Sequence, residues 1–427
     1  MHRRRIVRCC VTVAALCGAG PGPTLASAQS SPDAIGGLFK PLPNSAACTP
    51  GGNAAKPFLL PPGFKQTVTV SEPAFPDLPD MTTENEFGPA AGRVIFRTHE
   101  LTSNAAVSTT DRTTGATTIL AQRADWERFD GIAWTPWKTI LAAEEVVLAG
   151  FPDPSVPEAT AGLVYEIDPG TGNAVARPAI GSRSHEGLRF DADGNLYGIS
   201  ENSPPTGGYL YKFVPDAKGD LSSGRLFALK ITVPDGDRTG KAVWVPLSRK
   251  NVKADSDAEA TAAGATGYAR PEDVETGTST GNVFDGRNVL YVAVTGEARI
   301  LGIDLLGGKN QAFVFEYAKA GGNAPADFEF PDNVALDKDG NLFITEDPGT
   351  ASTTGLGDDI WVAVPPRPQA GPHAPAREVI RFASLTDCNA EPTGVYFDRF
   401  GFPLIVHAQH RGGDGFDKEI EISKNVP

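Results

Sequence analysis

The segment Gly267-Tyr268-Ala269-Arg270-Pro271-Glu272-Asp273-Val274-Glu275 is the densest charged constellation in this 427-residue chain. Pro271 fixes the backbone between two opposite charges, so Arg270 can be aimed at an anion while Glu272 holds a cation. Ser184-His185-Glu186-Gly187 and Phe330-Pro331-Asp332-Asn333 are smaller groupings of the same kind. Polar residues also close a series of apolar runs. These are Arg97-Thr98-His99-Glu100, Ala142-Ala143-Glu144-Glu145, Ser200-Glu201, Val294-Thr295-Gly296-Glu297, Thr345-Glu346-Asp347 and Val406-His407-Ala408-Gln409-His410. Carboxylates in such numbers suit hard cations, and a guanidinium among them suits phosphate or carboxylate. Other chemistries find no support. Gly277-Thr278-Ser279-Thr280-Gly281 has the spacing of a nucleophile elbow, but it sits in a polar loop before a strand. No phosphate-cradling loop, dinucleotide fingerprint or Cys/His zinc spacing is present.

These residues need elements to hold them. Short β-branched and aromatic stretches, separated by Gly, Pro, Asp and Asn, predict an all-β fold. A turn unit repeats: Phe190-Asp191-Ala192-Asp193-Gly194-Asn195-Leu196-Tyr197 returns as Leu336-Asp337-Lys338-Asp339-Gly340-Asn341-Leu342-Phe343. Degenerate copies start at Phe284 and Phe397. Asp-Gly-Asn marks a hairpin, because Gly and Asn accept positive φ, and it lacks the later Glu of a calcium loop. Six strands ending in acidic, amide or imidazole groups predict a single-domain, six-bladed β-propeller whose blade ends share one polar centre. The expected layout is a signal peptide at 1–28, an N-terminal extension at 29–60 and the propeller at 61–427. The stretch from Asp255 to Thr266 is expected as a surface loop.

Arg3, Arg4, Arg5 and Arg8, the apolar run Cys9 to Ala19 and the cleavage site Ala26-Ser27-Ala28 form a leader with Gln29 as first mature residue. The apolar run is too short to span a bilayer. The arginine pair followed by Arg5-Ile6-Val7 approximates a twin-arginine export signal, which implies a periplasmic or secreted protein. Removing the leader takes away four arginines and no acid, so the formal charge falls from −14 to roughly −18. That balance argues against nucleic acid or an anionic membrane as partners and is compatible with multivalent cations; the expectation is a monomer without membrane insertion that takes a small phosphorylated or ester substrate. Cys48 and Cys388 are the two cysteines left, either a disulfide joining the domain's ends or two buried thiols.

Taken in order, these motifs resemble the PhoX-type alkaline phosphatases, exported six-bladed propellers that use calcium and, in characterised members, iron. The resemblance runs from about Phe96 to His410. It rests on Thr135-Pro136-Trp137-Lys138-Thr139 leading into Glu144-Glu145, then Ser184-His185-Glu186-Gly187, Glu201 and Gly208-Tyr209-Leu210-Tyr211-Lys212-Phe213. Arg270-Pro271-Glu272-Asp273, Pro331-Asp332-Asn333 and Gln409-His410 complete it. It implies Glu145, Glu201, Glu272 and Asp332 as cation ligands, with Glu186 and Glu346 as further ligands or their supports. Arg270 and Glu272 are then the catalytic pair, and Glu144, His185, Gln409 and His410 hold the ligands by hydrogen bonds. One position departs. Asp130 stands where the family's iron-binding members carry a cysteine, and a carboxylate is a harder ligand that favours calcium, magnesium or manganese over an iron pair. The expected activity is metal-assisted phosphoester hydrolysis without a side-chain nucleophile. Two alternatives stand beside it: a calcium-dependent lactonase or esterase of the gluconolactonase type, and a non-catalytic calcium-binding propeller.

Overall fold

One local pattern, an inner strand opening next to an acidic residue, repeats around the molecule. The computed structural model describes residues 38–146, 153–277, 288–307, 310–398, 401–411 and 415–425. The leader, all but the first residue of the Gly-x-Ser-x-Gly pentapeptide and the first half of the turn copy starting at Phe284 lie outside them. Residues 41–427 form one compact unit. It is all-β and propeller-like, built from antiparallel sheets in which consecutive strands are neighbours. Among the described residues the single α-helix is Ser256–Ala263, capped by the Asp255 carboxylate at one end and by left-handed Gly264 at the other. It falls where the sequence predicted a loop.

Two sheets are simple four-stranded meanders, Pro79–Glu84 through Ala116–Gln122 and Phe129–Trp134 through Ala174–Ala176. A third runs from Pro331–Leu336 to Glu378–Leu385 and gains Phe58–Leu59 at its outer edge. A fourth begins at Ala390–Asp398 and is completed by the N-terminal strand Phe64–Ser71, which pairs with Lys418–Lys424. The Cys48–Cys388 disulfide spans 340 positions and fastens the two ends of the chain together.

The fifth sheet departs from the expected set of separate four-stranded units. It has nine strands, with His185–Phe190 at one end and Pro271–Thr276 at the other. An added strand, Gly240–Pro246, pairs on one side with Asp220–Pro234 and on the other with Gln311–Lys319. A free outer edge is an unpaired row of backbone donors and acceptors, and the added strand uses both such edges at once.

The strands at the sheets' inner edges touch in a closed cycle: Pro79–Glu84, Phe129–Trp134, His185–Phe190, Pro271–Thr276, Pro331–Leu336, Ala390–Asp398 and back. Close approach is enforced where glycine follows the acid. A Cβ on Gly131 would sit 2.1 Å from the Glu186 carbonyl oxygen, and one on Gly187 would sit 1.8 Å from an Asp273 carboxylate oxygen. Side chains stitch neighbouring inner strands as well. Val334 N donates to Asp273 Oδ2 at 2.9 Å, Gly394 N to the Asn333 side-chain Oδ1 at 2.6 Å, and Thr393 Oγ1 to the Pro79 carbonyl at 3.0 Å. Apolar layers between sheets supply the remaining cohesion, for example Trp126, Phe129 and Tyr165 packed with Ile132 and Ile140. At the far end of two sheets the repeated Asp-Gly-Asn turns fold identically. Asp191 accepts from Asn195 N and Nδ2, Asp337 from Asn341 N and Nδ2, and Gly194 and Gly340 take φ of 85° and 80°.

Candidate functional site

Each inner strand carries an acidic residue at its second position: Asp80, Asp130, Glu186, Glu272, Asp332 and Glu391. The strand's first residue pairs with the last residue of the second strand in every sheet, as in Pro79 with His99, Phe129 with Glu144 and Pro331 with Glu346. The next residue after that second strand then donates its N–H to the carbonyl just before the inner strand. Glu100 thus bonds Leu78, Glu145 bonds Arg128, Glu201 bonds Ser184, Thr295 bonds Arg270, Asp347 bonds Phe330, and Arg411 bonds Asn389. One backbone device therefore delivers two side chains per repeat to the centre. It is strained: Leu78, Arg128, Arg270 and Phe330 all have φ between 40° and 51°, which side chains adopt rarely and at a cost of about 1–3 kcal/mol.

The result is a crowded ring of carboxylates. Oxygens of Asp80, Glu100 and Asp130 lie within 4.8 Å of one another, and so do oxygens of Asp130, Glu145 and Glu186. Two bare carboxylates at that spacing repel by about 3 kcal/mol at an effective dielectric constant of about 20. Burial first, then the neighbouring carboxylates, pushes Asp80, Asp130, Glu145, Glu186, Glu272, Asp332 and Glu391 well above their ordinary pKa. Asp80 and Asp130 each keep a buried oxygen with no hydrogen-bond partner. Such a set either takes up protons or holds cations. The donors are all oxygen, as calcium, magnesium or manganese require. Asp130 belongs to both three-carboxylate groups, the place from which one side chain can bridge two ions.

The opposite arc contains two arginines. Arg270 Nε donates to Glu201 Oε1 at 3.0 Å, and its Nη2 pairs with Glu272 Oε1 at 2.9 Å. Its side chain is still 37% exposed. Ala269 N is held by Glu297, which itself pairs with Arg238 and Arg299. Arg411 Nε donates to Glu391 at 3.0 Å and its Nη2 contacts Asp358. Asp347 lies between the two arginines, 3.8 Å from Arg270 and 3.9 Å from Arg411.

Most sequence-derived candidates converge here: Asp130, Glu145, Glu186, Glu201, Glu272, Asp332 and Arg270. Gln409 supports them, its Nε2 donating to Glu100 Oε2 at 2.8 Å. Others point elsewhere. Glu346 is not at the centre, because its oxygens accept from Glu329 N, Asp359 N and Trp361 Nε1 inside its own sheet, and Asp347 takes the central place. Glu144 has the same structural task toward Glu127 N and Leu163 N, and burial raises its pKa to about 8. His185 is buried, bonds the Gly181 carbonyl at 3.0 Å and is held far below its ordinary pKa by burial. His99, pushed down to about 3 by burial, bonds Ser108 and the Asp77 carbonyl. His410 lies between Asp387 and Asp417 at 3.0 and 2.9 Å. Glu297 lies in the short turn after its strand and pairs with Arg238 and Arg299, leaving uncharged Thr295 in the ring position.

Sequence reasoning passed over Asp80, Glu391 and Arg411 altogether and did not single out Glu100 or Asp347. A signal existed for the two inner-strand acids. Pro79-Asp80, Phe129-Asp130, His185-Glu186, Pro271-Glu272, Pro331-Asp332 and Ala390-Glu391 align once the inner strand, and not the turn, is taken as the repeating unit.

The family described as Alkaline phosphatase PhoX matches residues 79–312. Pseudomonas fluorescens PhoX, solved in complex with vanadate, a transition state analogue, is 17% identical, covers 89% of this chain and 98% of its own, and superposes with a TM-score of 0.60. An auxiliary nutrient binding protein from Bacteroides ovatus is 6% identical over 85% of this chain and 77% of its own, with a TM-score of 0.49. Virginiamycin B lyase from Staphylococcus aureus, with quinupristin, is 12% identical over 85% and 100%, with a TM-score of 0.43. At those scores neither bears on this chain's activity. No curated protein matches the chain. With more than half of its length matched, the chain belongs to the PhoX family of alkaline phosphatases, metal-dependent phosphoester hydrolases.

Proposed function

We propose that this chain hydrolyses small phosphate esters at the ring, with calcium-type cations held by Asp80, Glu100, Asp130, Glu145 and Glu186 and the phosphate oriented by Arg270. The carrying observation is Asp130, shared by two three-carboxylate groups and left with a buried, unpartnered oxygen. Bound cations would neutralise the ester's phosphate and make water acidic enough at neutral pH to attack it.

This chain's own residues do the rest. Arg270 is partly exposed and rigidly placed by Glu201, Glu272 and the strained backbone at its own position, so its guanidinium fork can meet two phosphoryl oxygens without first being ordered. Glu272 and Asp332 extend the ring of carboxylates beside it. Gln409 fixes the orientation of Glu100. A thiolate would favour iron at the bridging position; the carboxylate of Asp130 favours calcium, magnesium or manganese.

The architecture supporting this reading is a propeller of six blades. The nine-stranded sheet then represents two blades joined at their outer edges by Gly240–Pro246. Export to an oxidising compartment is part of the same proposal, supported by the leader-like N-terminus and by the Cys48–Cys388 disulfide.

Metal analysis of the purified protein, paired with a panel of phosphomonoesters and phosphodiesters assayed with calcium, manganese or ferric iron, tests it. Calcium-restored turnover of a phosphoester after chelation is expected. A protein that retains no divalent ion, or that turns over lactones and no phosphoester, would overturn the reading.

A further inference from the structure

The ring's symmetry is broken at one charged position, and the break suggests a function for Arg411. In four of the six repeats the residue following the second strand is a carboxylate: Glu100, Glu145, Glu201 and Asp347. Thr295 is neutral there. Arg411 makes the same backbone bond, to the Asn389 carbonyl, yet carries a positive charge. Its side chain is 10% exposed and enters a group of three carboxylates. Nε donates to Glu391 Oε2 at 3.0 Å, Nη2 contacts Asp358 Oδ2, and Nε lies 3.9 Å from Asp347 Oδ1. The same three carboxylates are each no more than 20% exposed.

We propose that Arg411 is a built-in counter-ion that takes the place of a metal ion among Asp347, Asp358 and Glu391, confining the protein's cations to the arc formed by Asp80, Glu100, Asp130, Glu145 and Glu186. The inference rests on the reading of that arc as the metal-holding part of a phosphatase site. Three converging buried carboxylates need a positive charge set among them, and a divalent ion or a guanidinium can supply it. The arc with no basic residue among its five carboxylates has only the first option. The arc containing Arg411 uses the second, which needs no loading and persists under chelation. Arg270 differs in kind: more than a third of its side chain is exposed, so it remains available to a substrate anion.

The test is a metal count on the intact protein, dialysed against calcium and measured by mass spectrometry for wild type, Arg411→Ala, Arg411→Lys and Asp358→Asn. Arg411→Ala should gain about one ion per chain, because three carboxylates then face one another without a cation. Arg411→Lys should gain none. Asp358→Asn in the wild-type background should leave the count unchanged, since no ion sits there to lose. An unaltered count in folded Arg411→Ala overturns the proposal, and so does a lower count in Asp358→Asn. If Arg411→Ala folds only when calcium is supplied, that dependence is itself the expected result; if it folds in neither condition, Asp358→Asn decides. A wild-type protein without any bound ion would instead sink the underlying reading of the metal arc, so the two failures are distinguishable.

Discussion

The two arcs of the ring are built from one backbone device and solve the same electrostatic problem in opposite ways. From Asp80 to Glu186 carboxylates meet carboxylates, with Asp80 and Asp130 each left with a bare oxygen. From Glu201 to Arg411, two guanidinium groups stand among the acids: Arg270 pairs with Glu201 and Glu272, and Arg411 pairs with Glu391 and Asp358. Repulsion of about 3 kcal/mol per close pair makes the first arc unstable as a set of free anions. The second arc is neutralised in part by its own two arginines and is assembled as soon as the chain is folded. One arc thus calls for protons or cations, and the other holds its own shape and leaves Arg270 partly exposed. On the proposed function, a phosphate would meet cations on one side and the Arg270 guanidinium on the other.

The largest effect should come from breaking the first arc at its shared member. Asp130→Asn keeps the volume but removes the charge from both groups. It should lower kcat/KM on a phosphoester by more than about a hundredfold and reduce the number of bound ions. A variant with full activity and an unaltered metal count would show that Asp130 is not a bridging ligand. Breaking the second arc should have a different signature. Arg270→Gln should lower kcat/KM about a hundredfold while leaving the ions in place, because it removes an oriented donor and no ligand. Loss of metal from Arg270→Gln would contradict the division between arcs.

Much of this division was legible in the sequence, though unevenly. Glu272 stood out because Pro271 sets it against Arg270, Asp332 because it belongs to the grouping Phe330-Pro331-Asp332-Asn333, and the turns at Asp191 and Asp337 gave the repeat. Asp80 and Glu391 were hidden in unremarkable strings, Leu78-Pro79-Asp80-Met81 and Asn389-Ala390-Glu391-Pro392. Their importance lies in register, since pairing of the strand's first residue with the last residue of its partner decides which side chain faces inward. That same register separates neighbours in sequence. In Glu144-Glu145 and Glu346-Asp347 the first acid caps backbone N–H groups within a sheet and only the second reaches the ring. Local composition cannot tell those two apart. The joining strand Gly240–Pro246 was equally invisible, because its pairing with Gln311–Lys319 depends on two edges that are distant in sequence.

Chelation should set the two arcs against each other through pH. Asp80, Asp130, Glu145 and Glu186 have folded pKa values raised above those of the unfolded chain. Such groups bind more protons when folded, so their stabilisation is fully present below the ordinary carboxylate range and is lost as pH rises through the folded values. In excess chelator, Tm at pH 8 should therefore fall below Tm at pH 5, by several degrees. Saturating calcium should remove the difference, because cations then replace the protons. A Tm that is equally pH-dependent with and without calcium would mean that the first arc does not take up ions.

The smallest expected effect concerns the support of the second arc. His410, immediately before Arg411, is wedged between Asp387 and Asp417, whose hydrogen bonds outweigh its burial and raise its pKa to about 9. Asp417 also accepts from Leu78 N at 2.7 Å, so the pair braces the residue that leads into Asp80. A raised folded value means that protonated His410 stabilises the fold fully below its unfolded pKa of about 6.5, and that this contribution disappears as pH rises through about 9. His410→Gln should accordingly reduce Tm by about 1–3 °C at pH 7 and make little difference above pH 10. The wild-type and variant curves should converge at high pH whether calcium is present or not, because this brace carries its own charge. A His410→Gln deficit that disappeared on adding calcium would instead tie His410 to the cation-holding arc, and the boundary between the two arcs would have to be redrawn at Asp417.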